Sequence, residues 1–171
     1  TTNFSHSLPP FCVSIAFLKE GQPQVGVVFV PLLNEIFYSV RGSGSFLNRR
    51  MIHVSKENKL SHSLLATGFP YDRRKSKVNN LTYFTKFITK AWGIRRMGSA
   101  AIDLCYTPLG RFDGFWELKL HPWDTAAGVL LVEEAGGKVT DFSGDAFNPY
   151  KKECLASNGL IHSAMMEIIN S

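Results

Sequence analysis

The spacing of hydrophobic positions changes part-way along the chain. PFCVSIAFL (10–18), QVGVVFVP (24–31) and EIFYSVRG (35–42) are short apolar runs rich in β-branched and aromatic residues, the composition of strands. KEGQP (19–23) is a natural hairpin turn between the first two, and Pro-Leu-Leu-Asn separates the second from the third. GSGSFLN followed by MIHVS adds another short strand pair, so the first 55 residues read as an antiparallel meander. SLLATGF (63–69) gives one more strand, ending at Gly68.

After a basic loop the period becomes helical. NNLTYFTKFITKAW (79–92) places Leu81, Phe84, Phe87, Ile88 and Trp92 on one face, with Asn79 or Asn80 as the cap, and predicts an amphipathic surface helix. GIRRMG reads as a short strand, and a helix from Ser99 to Tyr106 opens behind Gly98. GRFDGFWEL (110–118) reads as a strand carrying Glu117 out of its C-terminal end, followed by a helix from Trp123 to Ala135. Strands GKVTDF (137–142) and CLASN (154–158) and a last helix, HSAMMEIIN, complete the chain. Strands first and alternation afterwards predict a layered α/β protein with mixed sheets.

The helix at 123–135 is unusual in being apolar on nearly every side: Trp123, Ala126, Ala127, Val129, Leu130, Leu131, Val132 and Ala135. A surface helix shows one apolar stripe, so this one is expected between two layers, with Gly136 and Gly137 as its stop. Asp124 then sits at the mouth of a buried helix. It reads either as an N-cap or first-turn acid or as a functional carboxylate. Glu117, seven residues earlier, would bring a second carboxylate to the same edge, and paired carboxylates suit Mg²⁺, which takes oxygen ligands and keeps several waters.

At 171 residues, 44% apolar and 19% charged, the chain fits a single folded domain with no repeat or low-complexity tract. Its longest apolar runs fall short of the roughly 20 residues of a membrane span, and no secretory signal opens it, so a cytoplasmic location is expected. Cys12, Cys105 and Cys154 lie among apolar neighbours and read as reduced core thiols. The net charge of +5 gathers at Arg49-Arg50, residues 72–77, Arg95-Arg96 and Lys151-Lys152. Such clusters are solvated loops or contacts for an anionic substrate, nucleic acid or acidic protein, and charge alone does not separate these.

WDTAAGVLLVEEAGG resembles the C-terminal signature of the inositol monophosphatase family, W-D-x-A-[AG]-G with an apolar run and E-A-G-G. TTNFSHSLPPFCVSIAF resembles the stretch after Asp-Gly in the family's other signature, and RRMGSAAIDLCY and GRFDGFWEL match the segments between the two signatures in order and spacing. The resemblance covers essentially the whole chain and is closest to the bacterial and plastid branch.

The resemblance implies an αβαβα sandwich of the sugar-phosphatase type and Mg²⁺-dependent hydrolysis of a phosphate monoester, typically a myo-inositol monophosphate. It implies that Asp124 is a metal ligand that also touches a substrate hydroxyl and that Glu117 accepts a hydrogen bond from another. Gly98, Ser99 and Ala100 would line the sugar pocket through backbone groups. Thr1 would orient the attacking water while its amide helps hold the phosphate. His6, His121 and Glu134 read as packing, hydrogen-bonding or structural residues. Homodimers are frequent in the family, and some bacterial members contact RNA or the transcription machinery. Fructose-1,6-bisphosphatase-like, histidinol-phosphate and 3′-phosphoadenosine-phosphate phosphatases share the same metal site.

One departure matters. The family's metals are held chiefly by a Glu-Glu pair and the two aspartates of D-P-x-D-G, upstream of the residue matching Thr1, so Asp124 is the one such carboxylate in this sequence. The chain is therefore expected to be the C-terminal two thirds of a longer polypeptide, without the N-terminal helices and first strands. As it stands it is expected to bind Mg²⁺ weakly, hydrolyse little and expose an apolar sheet face.

Overall fold

The computed structural model describes residues 1–171. Its first sheet is an antiparallel meander in sequence order: β1 (Val13–Lys19), β2 (Gln22–Val30), β3 (Glu35–Val40), β4 (Ser45–Leu47) and β5 (Arg50–Ile52). The KEGQP turn closes as a two-residue hairpin. Lys19 pairs with Gln22, and Glu20 and Gly21 between them take φ of 53° and 77°, the backbone that matches strand twist.

The second sheet contains β6 (Leu64–Thr67), β7 (Gly93–Arg95), β8 (Gly114–Leu118), β9 (Lys138–Thr140) and β10 (Glu153–Ser157), ordered β7-β6-β8-β10-β9. It is mixed, as expected: β6 runs parallel to β7 and β8, while β10 runs antiparallel to β8 and β9. Five helices complete the fold: α1 (Thr2–Ser5), α2 (Leu81–Ile88), α3 (Ala100–Tyr106), α4 (Pro122–Glu134) and α5 (His162–Asn170).

α4 and α3 lie between the sheets, and α2 and α5 cover the far face of the second sheet. Glycines permit the close approach of the middle layer. A β-carbon on Gly26 of β2 would come within 2.8 Å of the Ala127 carbonyl oxygen, and one on Gly128 within 2.5 Å of Leu104. Burying Val129, Leu130, Leu131 and Val132 completely contributes about 1.5–3 kcal/mol for each side chain, which holds α4 as a rigid centre.

The layers run sheet, helix, sheet, helix, four of the five in an αβαβα sandwich. No helix of the chain covers the outer face of the first sheet, where Ile15 is 64% and Phe17 61% exposed. No helix is long and apolar enough to cross a membrane. Cys105 and Cys154 are buried free thiols, and Cys12 is a half-buried one.

Several expectations need correction. The helix read over 79–92 spans only Leu81–Ile88, with Phe87 its one fully buried side chain, while Leu81, Ile88 and Trp92 are exposed. The Trp92 amide donates to the Ser63 carbonyl, which commits that residue to the start of β7. Asn79 Oδ1 accepts the Leu81 amide, but Asn80 turns its side chain into the interior from a left-handed backbone (φ 71°). β8 begins at Gly114 because Arg111 and Phe112 both donate their amides to the Tyr106 carbonyl in a turn. Trp123 does not belong to the buried surface of α4; it is 66% exposed and stacks on the His121 ring with centroids 4.6 Å apart. The helical turn α1, a single turn of four residues, has no counterpart in the sequence pattern.

Candidate active site

A cavity of about 580 Å³ opens where the C-terminal ends of β6 and β8 face the N-terminal ends of α3 and α4. Thr1, Gly98, Ser99, Ala100, Glu117 and Asp124 all line it. Six residues marked in the sequence thus meet from four separate segments, whereas His6 remains exposed at the end of α1 and does not reach the cavity.

Asp124 is the third residue of α4, and its Oδ2 accepts the His121 amide at 3.0 Å. The first-turn acid reading is therefore correct structurally, and it leaves Oδ1 without a hydrogen-bond partner in the chain. Glu117, one residue before the end of β8, has no hydrogen-bond donor in the chain at all. Burial, and after it the charge of Asp124, pushes the Glu117 carboxyl up to about 8, with Arg96 opposing. Behind it Asp103 of α3 is 1% exposed with neither carboxylate oxygen bonded. Burial first and Glu117 second push the Asp103 carboxyl well above the usual carboxylate range, with Arg96 opposing.

Ser99 takes an extended backbone (φ −149°) as the N-cap of α3, and Gly98 before it has φ 83°. The amides of Ala100 and Ala101 open the helix and have no acceptor within it. Asn3 ties this wall to the N-terminal segment. Its Nδ2 donates to the Pro10 and Met97 carbonyls at 2.5 and 2.9 Å, and its Oδ1 would lie 3.1 Å from a β-carbon on Gly98. Cys12 Sγ lies 3.6 Å from Ser99 Oγ; burial pushes the thiol up, so it is no ready nucleophile.

Sequence reasoning missed much of the rim. Tyr71, Lys119 and Trp123 line the cavity, as do Gly68 and Asn3 on its floor and wall, and Arg96, read only as part of a basic cluster that suits an anionic partner, lines it too. Lys119 Nζ bonds Asp72 Oδ2 at 2.6 Å and Ser76 Oγ at 2.8 Å, so the basic loop at 72–77 is pinned to the end of β8. A glycine ending an apolar strand was the available signal for Gly68, since such a position often marks a close approach. Glu134 proves structural, as read: its two carboxylate oxygens accept the Gly42 and Gly44 amides at 2.9 and 3.0 Å.

Asp124 is the kind of oxygen donor that Mg²⁺ takes, but no three His, Cys, Asp or Glu side chains gather to hold a metal ion. A magnesium site is not complete within these residues.

The model of the inositol monophosphatase family matches residues 1–171. The chain belongs to that family. An inositol-1-monophosphatase of Synechocystis sp. is 45% identical over 99% of this chain, which spans 59% of that relative's length. The Nus factor SuhB of Salmonella typhimurium is 43% identical over 97% of the chain and 62% of its own length. The solved inositol monophosphatase of Anabaena (Nostoc) sp. superposes with a TM-score of 0.97 at 46% identity, covering 99% of this chain and 68% of that one.

Proposed function

We propose that the whole protein carrying this chain is a Mg²⁺-dependent phosphate monoester hydrolase acting on myo-inositol monophosphates. The observation that carries the reading is the convergence of Thr1, Gly98, Ser99, Ala100, Glu117 and Asp124 on one cavity. The names of relatives such as the Synechocystis enzyme support the substrate. In this reading Asp124 offers its free Oδ1 to the metal, and the backbone from Gly98 to Ala100 frames the polyol ring. Glu117 takes a hydrogen bond from a ring hydroxyl, and Thr1 orients the attacking water. Residues 1–171 alone, with one candidate metal carboxylate, release little or no phosphate. A cytoplasmic homodimer belongs to the same reading and rests on the family resemblance.

The test is phosphate release from myo-inositol 1-phosphate, with and without Mg²⁺, by the whole protein and its Asp124→Asn variant. The reading expects metal-dependent release that collapses in the variant. No release from the unaltered protein overturns it in favour of another phosphate ester, such as fructose 1,6-bisphosphate or histidinol phosphate.

A second reading, contact with RNA or the transcription machinery, is favoured by the Nus factor name of the Salmonella relative and by the exposed cations Arg73, Arg74, Lys75, Arg95 and Arg96. It expects RNA binding that weakens steeply with salt and survives Asp124→Asn. Salt-insensitive binding, or none, removes it.

A further inference from the structure

The floor of the cavity holds a relationship that the functional reading does not use. β6 and β8 pair in parallel with Thr67 opposite Trp116, so the next residues, Gly68 just past the end of β6 and Glu117 still within β8, lie side by side. A β-carbon built on Gly68 would overlap the carboxyl group of Glu117. The Glu117 carboxyl therefore occupies the space that any other residue at 68 would fill with its own side chain. Gly68 needs no left-handed backbone, so conformational freedom does not explain a glycine here. The space does.

A buried clamp fixes this pair. Asn80, 2% exposed, donates from Nδ2 to Thr67 Oγ1 at 2.8 Å and to the Gly68 carbonyl at 2.5 Å. Its Oδ1 accepts the Trp116 indole N–H at 2.8 Å, and Thr67 Oγ1 donates to the Trp116 carbonyl at 2.6 Å. Four hydrogen bonds thus lock the residues immediately before Gly68 and Glu117 in register, and the Gly68 carbonyl itself is one acceptor. The Glu117 carboxyl has no bond of its own to hold it, so its place is set by this seat rather than by a donor.

We propose that Gly68 is a positioning residue whose missing side chain forms the seat for Glu117, and that this seat selects phosphate esters whose leaving group carries a free hydroxyl. The inference rests on the polyol-phosphatase reading for its substrate class and on the geometry of the floor for the seat. A methyl group at 68 pushes the carboxyl forward, out of the position from which it accepts a ring hydroxyl. An ester without that hydroxyl loses nothing by the shift, since a site built to pair a hydroxyl discriminates only among ligands that have one.

The experiment is Gly68→Ala in the whole protein, alone and combined with Glu117→Ala, assayed on myo-inositol 1-phosphate and on p-nitrophenyl phosphate, with crystal structures of both variants. For Gly68→Ala we expect kcat/KM on the inositol ester to fall by about tenfold or more, mainly through KM, and to change by less than about twofold on the nitrophenyl ester. In the Glu117→Ala background, Gly68→Ala has no further effect. An equal loss on both esters, or the same loss with and without Glu117, overturns the proposal. If Gly68→Ala fails to fold, the double variant decides: folding restored by Glu117→Ala supports the clash, and failure of both overturns it. If the unaltered protein hydrolyses no inositol ester, the functional reading fails. The crystal structures still test the seat, since an unmoved Glu117 carboxyl in Gly68→Ala overturns it.

Discussion

The His121 amide donates to Asp124 Oδ2 across 3.0 Å, so the acid that faces the cavity also closes the first turn of the helix that carries it. Asparagine keeps an oxygen acceptor for that amide and loses only the charge that favours a helix N-terminus. Asp124→Asn is therefore expected to cost about 1 kcal/mol or less in urea unfolding, and Asp124→Ala more, because the amide then has no acceptor. In the whole protein both variants are expected to lose phosphate release by about a hundredfold or more, since neither offers a carboxylate to the metal. Equal stability loss for Asn and Ala would show that the hydrogen bond is not what Oδ2 contributes to folding.

Glu117 pushes the pH dependence of stability in the opposite direction from an ordinary surface acid. Its folded carboxyl is raised to about 8, whereas the unfolded one titrates at about 4.5. Its favourable contribution is complete below the unfolded value and is lost as pH rises through the folded one. Glu117→Gln is expected to stabilise the metal-free protein at pH 8, by at most about 4 kcal/mol, and to leave it nearly unchanged at pH 4.5. Thermal unfolding of both proteins in chelator at the two pH values checks this. A variant equally stabilised at both would place the effect in packing, not ionisation.

The residues whose role depends on local pattern were legible in the sequence, and those whose role depends on distant strands were not. The apolar run of α4 announced its own burial, and the Gly-Gly stop and the KEGQP hairpin are local backbone chemistry. Asn80 shows the limit. An asparagine before a helical pattern reads as a cap, and nothing nearby reveals that Thr67 and Trp116 lie within reach of its amide. Trp123 was misplaced for a related reason: apolar character places a residue on a helix, but only tertiary packing decides whether the first turn lies inside a layer or at a cavity mouth. Of the six cavity residues, Asp124 and Glu117 were paired by their places at a helix start and a strand end, whereas Thr1 and Gly98 to Ala100 were found only through the family resemblance.

Glu134 binds the far end of α4 to the turn between β3 and β4 through the Gly42 and Gly44 amides. Each is a charge-assisted bond to a backbone donor, so Glu134→Ala is expected to destabilise the protein by about 1–3 kcal/mol. The site lies at the opposite end of the helix, so kcat/KM of the whole protein is expected to stay within about twofold. Amide hydrogen exchange at Gly42 and Gly44 reads the effect directly: both should exchange faster in the variant while Ser39, whose hydroxyl bonds the Gly44 carbonyl, marks the edge of the loosened region.

His162 gives the sharpest acid response. Its ring is 2% exposed, with Nε2 3.0 Å from Thr140 Oγ1 and Nδ1 2.9 Å from Ser157 Oγ. A neutral imidazole presents one donor and one acceptor, and the two hydroxyls complement it in either tautomer. Burial first, and the charge of Lys138 second, push the folded ring down to about 4, while the unfolded ring titrates at about 6.5. Between those values the unfolded chain takes up a proton that the folded one refuses, so stability is full above pH 6.5 and falls as pH drops towards 4. The loss from this group amounts to about 3 kcal/mol. His162→Gln keeps a donor and an acceptor but does not titrate. It is expected to be less stable than the natural protein at pH 7, with the two unfolding curves converging as pH approaches 4. Asp141, which burial would raise but Lys151 and two backbone amides hold below the usual carboxylate range, is common to both proteins and cancels in the difference. Urea midpoints at stepped pH measure that difference, and a constant gap from pH 7 to pH 4 would mean that the folded protein accepts the proton without opening the Thr140 and Ser157 contacts.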